Sequence, residues 1–255
     1  MNMGKTFYAF WLGIVFCFSS IGVEAYVMPP EQLIEYMQDR FGVYKTMVIG
    51  QKTVVIDPLD GKETNSSEEK IWVKTPGFFK SQVISGQGRG AAADEPFTSA
   101  FRQLLMGNSN EYLLMLLAKF GIDIESSGYT RLDGIVAYYI GYREPGSARL
   151  LLDKKTFLPI LLEYEMRDNS GQKKVSIRFE EYREIWGGWY PFKIGYFEGE
   201  EVHEQYTVID LQVNMPLSSG MFRQRTVLGK PLENNSRVDD EHLSEAINAL
   251  KNKYK

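Results

Sequence analysis

Cysteine and histidine are almost missing from this chain. The one cysteine, Cys17, lies inside an apolar run, and His203 and His242 are the only histidines among 255 residues. No disulfide can form, and once the first 25 residues are removed no thiolate remains as a nucleophile or metal ligand. HExxH, GxSxG and aspartate-rich metal loops are also missing, so no metal site is expected. Basic excess is lacking too: 29 Lys and Arg face 33 Asp and Glu, a net charge of −4, which argues against any nucleic-acid partner. Past Ala25 no apolar stretch approaches the roughly 20 residues that a membrane-spanning helix needs.

What is present begins with a leader. Lys5 precedes the apolar run Phe7–Phe18, and Val23-Glu24-Ala25 supplies small or short residues at a cleavage site. Residues 1–25 are therefore expected to be a cleaved signal peptide. The remaining 26–255 are expected to form one domain, and an exported chain without disulfides suggests a bacterial envelope, hence the periplasm. Cys17 sits within the run behind Val15-Phe16, not after it, which argues against a lipid anchor.

Helices are expected at both ends and in one central insertion. Pro29-Pro30-Glu31 starts a helix with Leu33, Ile34, Met37 and Phe41 on one face, closed by Gly42. Gly86, Gly88 and Gly90 mark a loop with no lysine-serine/threonine pair behind it, so it is not a phosphate cradle. A helical insertion over about 94–120 follows, carrying Phe97, Phe101, Leu104 and Leu105, then Leu113 to Leu117 from a start at Asn108. The last helix opens near Asp239-Asp240. Strands are expected at 44–58, 71–75, 78–85 and 130–142, with Lys62–Lys70 as a polar hairpin connection. Five more run at 147–153, 159–167, 173–183, 189–198 and 201–213. Short turns between them imply an antiparallel meander.

Alternation within those strands makes one face apolar. Ile160, Leu162, Tyr164 and Met166 share a side, continued by Val175, Ile177 and Phe179, then by Phe192, Ile194 and Tyr196. Glu163, Glu165 and Arg167 fall on the other side, as a solvated charge ladder. Such a sheet is covered by helices as a sealed core, or is kept available to an apolar ligand. In the second case Leu33, Met37, Phe101, Leu105, Leu113 and Leu117 are the lid. Neither histidine has the neighbours of a catalytic base, so no enzyme, catalytic residue or cofactor is expected.

The segment Lys70-Ile71-Trp72-Val73-Lys74-Thr75-Pro76-Gly77-Phe78-Phe79 resembles the W-V-K-x-P-x-x-F segment of the periplasmic outer-membrane lipoprotein carriers (LolA/LolB-like). Leu152-Asp153, Leu158-Pro159, the Gly187–Pro191 turn and Asn214-Met215-Pro216-Leu217 are similar to later family segments in the same order. The resemblance implies an α+β fold, an incomplete β-barrel whose strongly curved antiparallel sheet has helices over its concave face. It implies a non-catalytic carrier of lipid or lipoprotein acyl chains, monomeric, touching a membrane surface transiently. Its partners would be a lipid or acylated lipoprotein and an envelope transporter or outer-membrane acceptor. Trp72, Lys74 and Pro76 carry the motif, but Thr75 stands where the carriers have the arginine that latches the lid. The alternative is a lipid-responsive envelope sensor or accessory module that binds a protein.

Overall fold

In the computed structural model, residues 27–86, 96–168 and 171–222 are described. The leader, Gly88 and Gly90, and the C-terminal helix with His242 lie outside them. Ten strands form one antiparallel sheet: β1 (Thr46–Ile56), β2 (Glu63–Lys74), β3 (Phe78–Gly86), β4 (Ser127–Leu132), β5 (Ile135–Gly141), β6 (Arg149–Asp153), β7 (Pro159–Asp168), β8 (Gly171–Ile185), β9 (Gly188–Glu198) and β10 (Glu201–Val213). Their spatial order is β3-β2-β1-β10-β9-β8-β7-β6-β5-β4. The sheet is not closed, since β3 and β4 are its two edges.

Three helices complete the described chain: α1 (Pro30–Phe41), α2 (Pro96–Leu104) and α3 (Asn110–Lys119). α1 begins with proline in its first turn, where no donor is lost, and Glu31 meets the positive dipole end. α3 is capped by Ser109, not Asn108: the Ser109 hydroxyl accepts from the Tyr112 amide at 3.2 Å. α1 packs on α3 and β9, and α2 on α3. Compact units divide after Pro216, and of the second only Leu217–Phe222 is described, ending in a short 3-10 turn.

Two strand boundaries differ from expectation for clear reasons. Lys62–Lys70 is not a connection but most of β2, paired in register with β1 from Val55↔Asn65 to Gly50↔Lys70. Its polar sequence hid it, and the true turn is Pro58–Gly61. The segment 130–142 is two strands, because Asp133 (φ 49°) and Gly134 (φ 85°) form a two-residue hairpin turn of the left-handed kind.

Laid flat, ten strands would span roughly 45 Å, while helices of 9–12 residues are only about 13–18 Å long. One contiguous core nevertheless joins all three helices to β1, β2 and β5–β10. The sheet is therefore strongly curled around the helices. Register shifts at Gly50/Gln51, Glu68/Glu69, Leu151/Leu152 and Val202/Glu204 supply the bends that pleated strands resist.

Candidate functional site

Nine of the ten stripe residues face the helices. Leu162, Tyr164 and Met166 on β7, Val175, Ile177 and Phe179 on β8, and Phe192, Ile194 and Tyr196 on β9 join one cluster, each at most 9 % exposed. Leu33 and Met37 of α1, Phe101 and Leu105 in and just after α2, and Leu113 and Leu117 of α3 complete it. Phe101 meets Phe179 with ring centres 6.2 Å apart, and Phe120 meets Tyr164 at 4.8 Å. The apolar face is thus closed by helices in this conformation.

Ile160 leaves the stripe. The bulge that sets Leu151 opposite Leu161 and Leu152 opposite Pro159 makes Ile160 the extra residue. It lies half-buried with Ala137, Leu151 and Leu161 in a small separate cluster. The solvated ladder is corrected as well. Glu163 is buried and paired with the buried Arg149, while its other oxygen accepts from the Gly146 amide at 3.2 Å. Glu165 stays exposed and accepts from Gln172.

In the motif, Ile71 and Val73 point into the core. Trp72 is half-buried on the other side, between Lys70 and Lys80 at 5.8 and 5.6 Å from its ring. Lys74 is half-buried and Pro76 exposed. At Thr75 the amide donates to Lys45 O at 3.0 Å, and the hydroxyl reaches the same oxygen at 3.4 Å.

Sequence reasoning missed a buried polar cluster where α2 meets the sheet. Arg102, 1 % exposed, donates from Nη2 to Gln51 Oε1 at 2.6 Å and from Nη1 to the Tyr190 hydroxyl at 3.0 Å. Gln51 in turn donates to Glu69 Oε2 and Thr53 Oγ1, both at 3.1 Å. Tyr206 donates to Glu204 Oε2 at 2.7 Å, and its ring lies 5.7 Å from the guanidinium. Arg102 Nε is buried with no hydrogen-bond acceptor. Burial pushes the Tyr206 phenol well up, helped by the Glu204 carboxylate. Burial also raises Tyr190, against the pull of Arg102. Only part of the signal was readable: Gln51 and Thr53 follow Met47 and Ile49 on one face of β1, while Glu69 comes opposite Gln51 only once β2 is placed in register.

A second group of contacts pins the helix junction. Gln103 accepts from the Gly77 amide at 3.1 Å and donates to Phe78 O at 3.2 Å. Gln38 of α1 donates to Met106 O at 3.2 Å, the Gly107 amide donates to Tyr44 O at 2.8 Å, and Lys45 Nζ donates to Gly107 O. At the other end, a surface pocket of about 440 Å³ opens beside the end of α3, lined by residues including Lys119, Phe120, Tyr142 and Glu165.

His203 Nε2 lies 4.0 Å from Glu198 Oε2 on a half-buried strand position. Among the described residues no group of three or more His, Cys, Asp or Glu could hold a metal ion, and no helix is long and apolar enough to cross a membrane.

Comparison with solved structures gives several similar chains. A LolA superfamily protein from Nitrosomonas europaea is 12 % identical over 77 % of this chain and 98 % of its own, with a TM-score of 0.42. A DUF1329 family protein from Desulfovibrio piger is 13 % identical over 76 % and 95 %, with a TM-score of 0.41. A chain of the Pseudomonas aeruginosa MucA/MucB complex is 12 % identical over 77 % and 61 %, with a TM-score of 0.23. The chain is thus similar in fold to these structures. No family model and no curated protein matches the sequence.

Proposed function

We propose that this protein is a periplasmic, non-catalytic carrier that takes the acyl chains of a lipid or lipoprotein between its sheet and its helices. The observation that carries the reading is the nature of the cover. Alongside its hydrocarbon contacts, α2 brings a buried arginine onto Gln51 and Tyr190. Burying such a charge is costly, and water replaces its hydrogen bonds when the helix lifts. Topology supports the same motion: α2 and α3 lie between β3 and β4, the two edges, and so form a strap held at both ends.

An acyl chain of 14 carbons could gain on the order of 10 kcal/mol from burial, before ordering costs, without any specific polar contact. In this reading the helix-covered arrangement is the closed form. Opening would separate Phe101 from Phe179 and Phe120 from Tyr164, leaving Ile177, Phe179, Ile194 and Tyr196 to line the site.

The test is lipid extraction and mass spectrometry of protein purified from an envelope fraction, alongside displacement of a fluorescent acyl probe. Co-purified acyl species and saturable probe binding are expected, with loss of both in Ile177→Glu. Protein that carries no lipid and binds no probe, but holds a protein partner, would replace this reading with the sensor or accessory one.

A further inference from the structure

The tip of the β8–β9 hairpin carries a residue that the fold does not ask for. Trp186 (φ 52°) and Gly187 (φ 79°) make a two-residue turn between the paired Ile185 and Gly188. The first position of such a turn favours Asn, Asp or Gly, and a bulky side chain there is strained. The same turn between β4 and β5 uses Asp133-Gly134. Trp186 is also 87 % exposed, so it fills no core. Neither backbone nor packing explains an indole at this point.

Its surroundings are specific. Tyr44 donates its hydroxyl to Ile185 O at 2.7 Å, and a Cβ on Gly188 would stand 2.7 Å from the Tyr44 ring and 2.8 Å from Val43, so the hairpin base sits directly on Tyr44. Asn214 donates to Val43 O at 2.8 Å, and Thr46 donates to Met215 O at 2.6 Å. Val43 and Met215 are each 43 % exposed, which places three exposed apolar side chains at one end of the sheet. Tyr44 also accepts the Gly107 amide, at the junction of α2 and α3. One residue therefore bridges the Trp186 hairpin and the point where the strap is pinned.

We infer that the Trp186 hairpin docks on a lipid bilayer and that Tyr44 relays docking to the helix junction. This rests on the carrier reading and names its membrane-facing end. Three exposed side chains fall far short of the roughly 800 Å² per partner that a stable protein interface needs. A bilayer interface asks for no matching shape, and tryptophan prefers that depth. Arg183 and Lys45 are exposed here, but so are Glu181 and Glu184, and Arg183 lies 3.8 Å from Glu181. Attachment therefore depends on the indole and not on anionic lipid.

The test uses the full chain and vesicles of equimolar phosphatidylethanolamine and phosphatidylglycerol with brominated acyl chains, which quench indoles at hydrocarbon depth. Trp186→Asn keeps a turn-compatible residue and is expected to melt no lower than the wild type. Wild type is expected to show a quenched component that W186N lacks. Leu59→Ser, at the opposite end of β1, is expected to keep it. Equal quenching in wild type and W186N, or equal loss in L59S, overturns the docking inference. So does a W186N variant that loses a co-purifying protein while its quenching is unchanged. Tyr44→Phe is expected to keep the quenched component but lose about fivefold in vesicle-stimulated probe uptake, the size of one hydrogen bond. Uptake equal to wild type in Y44F removes the relay. Probe binding in free solution reports separately on the carrier reading: its absence, with Trp186 still quenched, sinks the carrier and leaves the docking site.

Discussion

Replacing Arg102 by methionine separates a lid fastening from a fold fastening. The guanidinium makes two hydrogen bonds, to Gln51 Oε1 and the Tyr190 hydroxyl, at a site that is 1 % exposed. Hydrogen bonds to a charged group contribute about 1.5–3 kcal/mol each, a gross loss of roughly 3–6 kcal/mol. Part of that is returned, because a buried cation with an unsatisfied Nε is no longer held away from water, and methionine refills much of the stem's volume. The net expected cost is about 3 kcal/mol, in the range seen when one member of a buried charged network is removed.

Where that cost appears decides the matter. If α2 lifts while the sheet stays folded, the open population rises about 150-fold, since each 1.4 kcal/mol is about tenfold. Acyl-probe association should then accelerate by up to that factor, and amide exchange in α2 should quicken well before that of β8 and β9. Urea unfolding of the same variant measures the global term. A variant that loses about 3 kcal/mol of global stability with unchanged probe association would refute the lid role, and a loss below about 1 kcal/mol would refute the energetic reasoning.

Glu163→Ala should cost about 3–5 kcal/mol by chemical denaturation, because it strands the buried Arg149, while Glu163→Gln should cost less. Phe179→Glu should abolish acyl-probe binding while exposed Glu165→Ala leaves it unchanged; equal loss in both would place the ligand on the other face. Ser109→Ala should lower stability by about 1 kcal/mol through the lost α3 cap, read from the thermal midpoint. Alkaline pH gives a signed test. Burial raises the phenols of Tyr44, Tyr182, Tyr190 and Tyr206, and raises Tyr138 to about 12, so the folded state holds protons that the unfolded chain releases near pH 10. Their stabilisation is intact below pH 10 and is lost as pH rises beyond it, by about 1.4 kcal/mol per pH unit per group. Tyrosinate absorbance should therefore lag the exposed tyrosines and then rise with unfolding; independent titration near pH 10 would contradict the burial.

The meander from β6 to β10 was legible because a half-buried strand announces its faces by alternation, and Leu162–Met166, Val175–Phe179 and Phe192–Tyr196 keep strict period. Ile160 shows where alternation fails, since a one-residue bulge moves a side chain to the other face without leaving a sequence mark. Glu163 failed differently. Its face is outward, but Arg149 on the neighbouring strand pairs with it, and pairing registers are not written in either strand alone. Glu69 was lost with the polar half of β2. Once Glu69 was read as loop, Gln51 and Thr53 had no charged neighbour, and nothing pointed to Arg102 as more than a helix surface residue.

That missed cluster bears on how a closed apolar face would serve the proposed carrier. When helices lift from the sheet and an acyl chain takes their place, hydrocarbon contact is exchanged for hydrocarbon contact, so this part of the exchange is nearly neutral. The Arg102 contacts to Gln51 and Tyr190 have no counterpart in an acyl chain. Under the carrier reading they belong, with the hydrogen bonds of Gln103 and Gly107, to the part of closure that a ligand cannot reproduce. In the lipoprotein carriers that the W-V-K segment resembles, the latch is an arginine on the strand side, where this chain has Thr75. Under the carrier reading the guanidinium here comes from the helix instead. Moving the arginine back, as Thr75→Arg with Arg102→Met, tests whether the two sides are equivalent. Thr75 follows β2 beside Lys45, six residues along from the Glu69 that pairs with Gln51, so a strand-side arginine should fail to restore slow probe association. Full restoration would show that any cation near the strap suffices, and that the Gln51 and Tyr190 geometry is incidental.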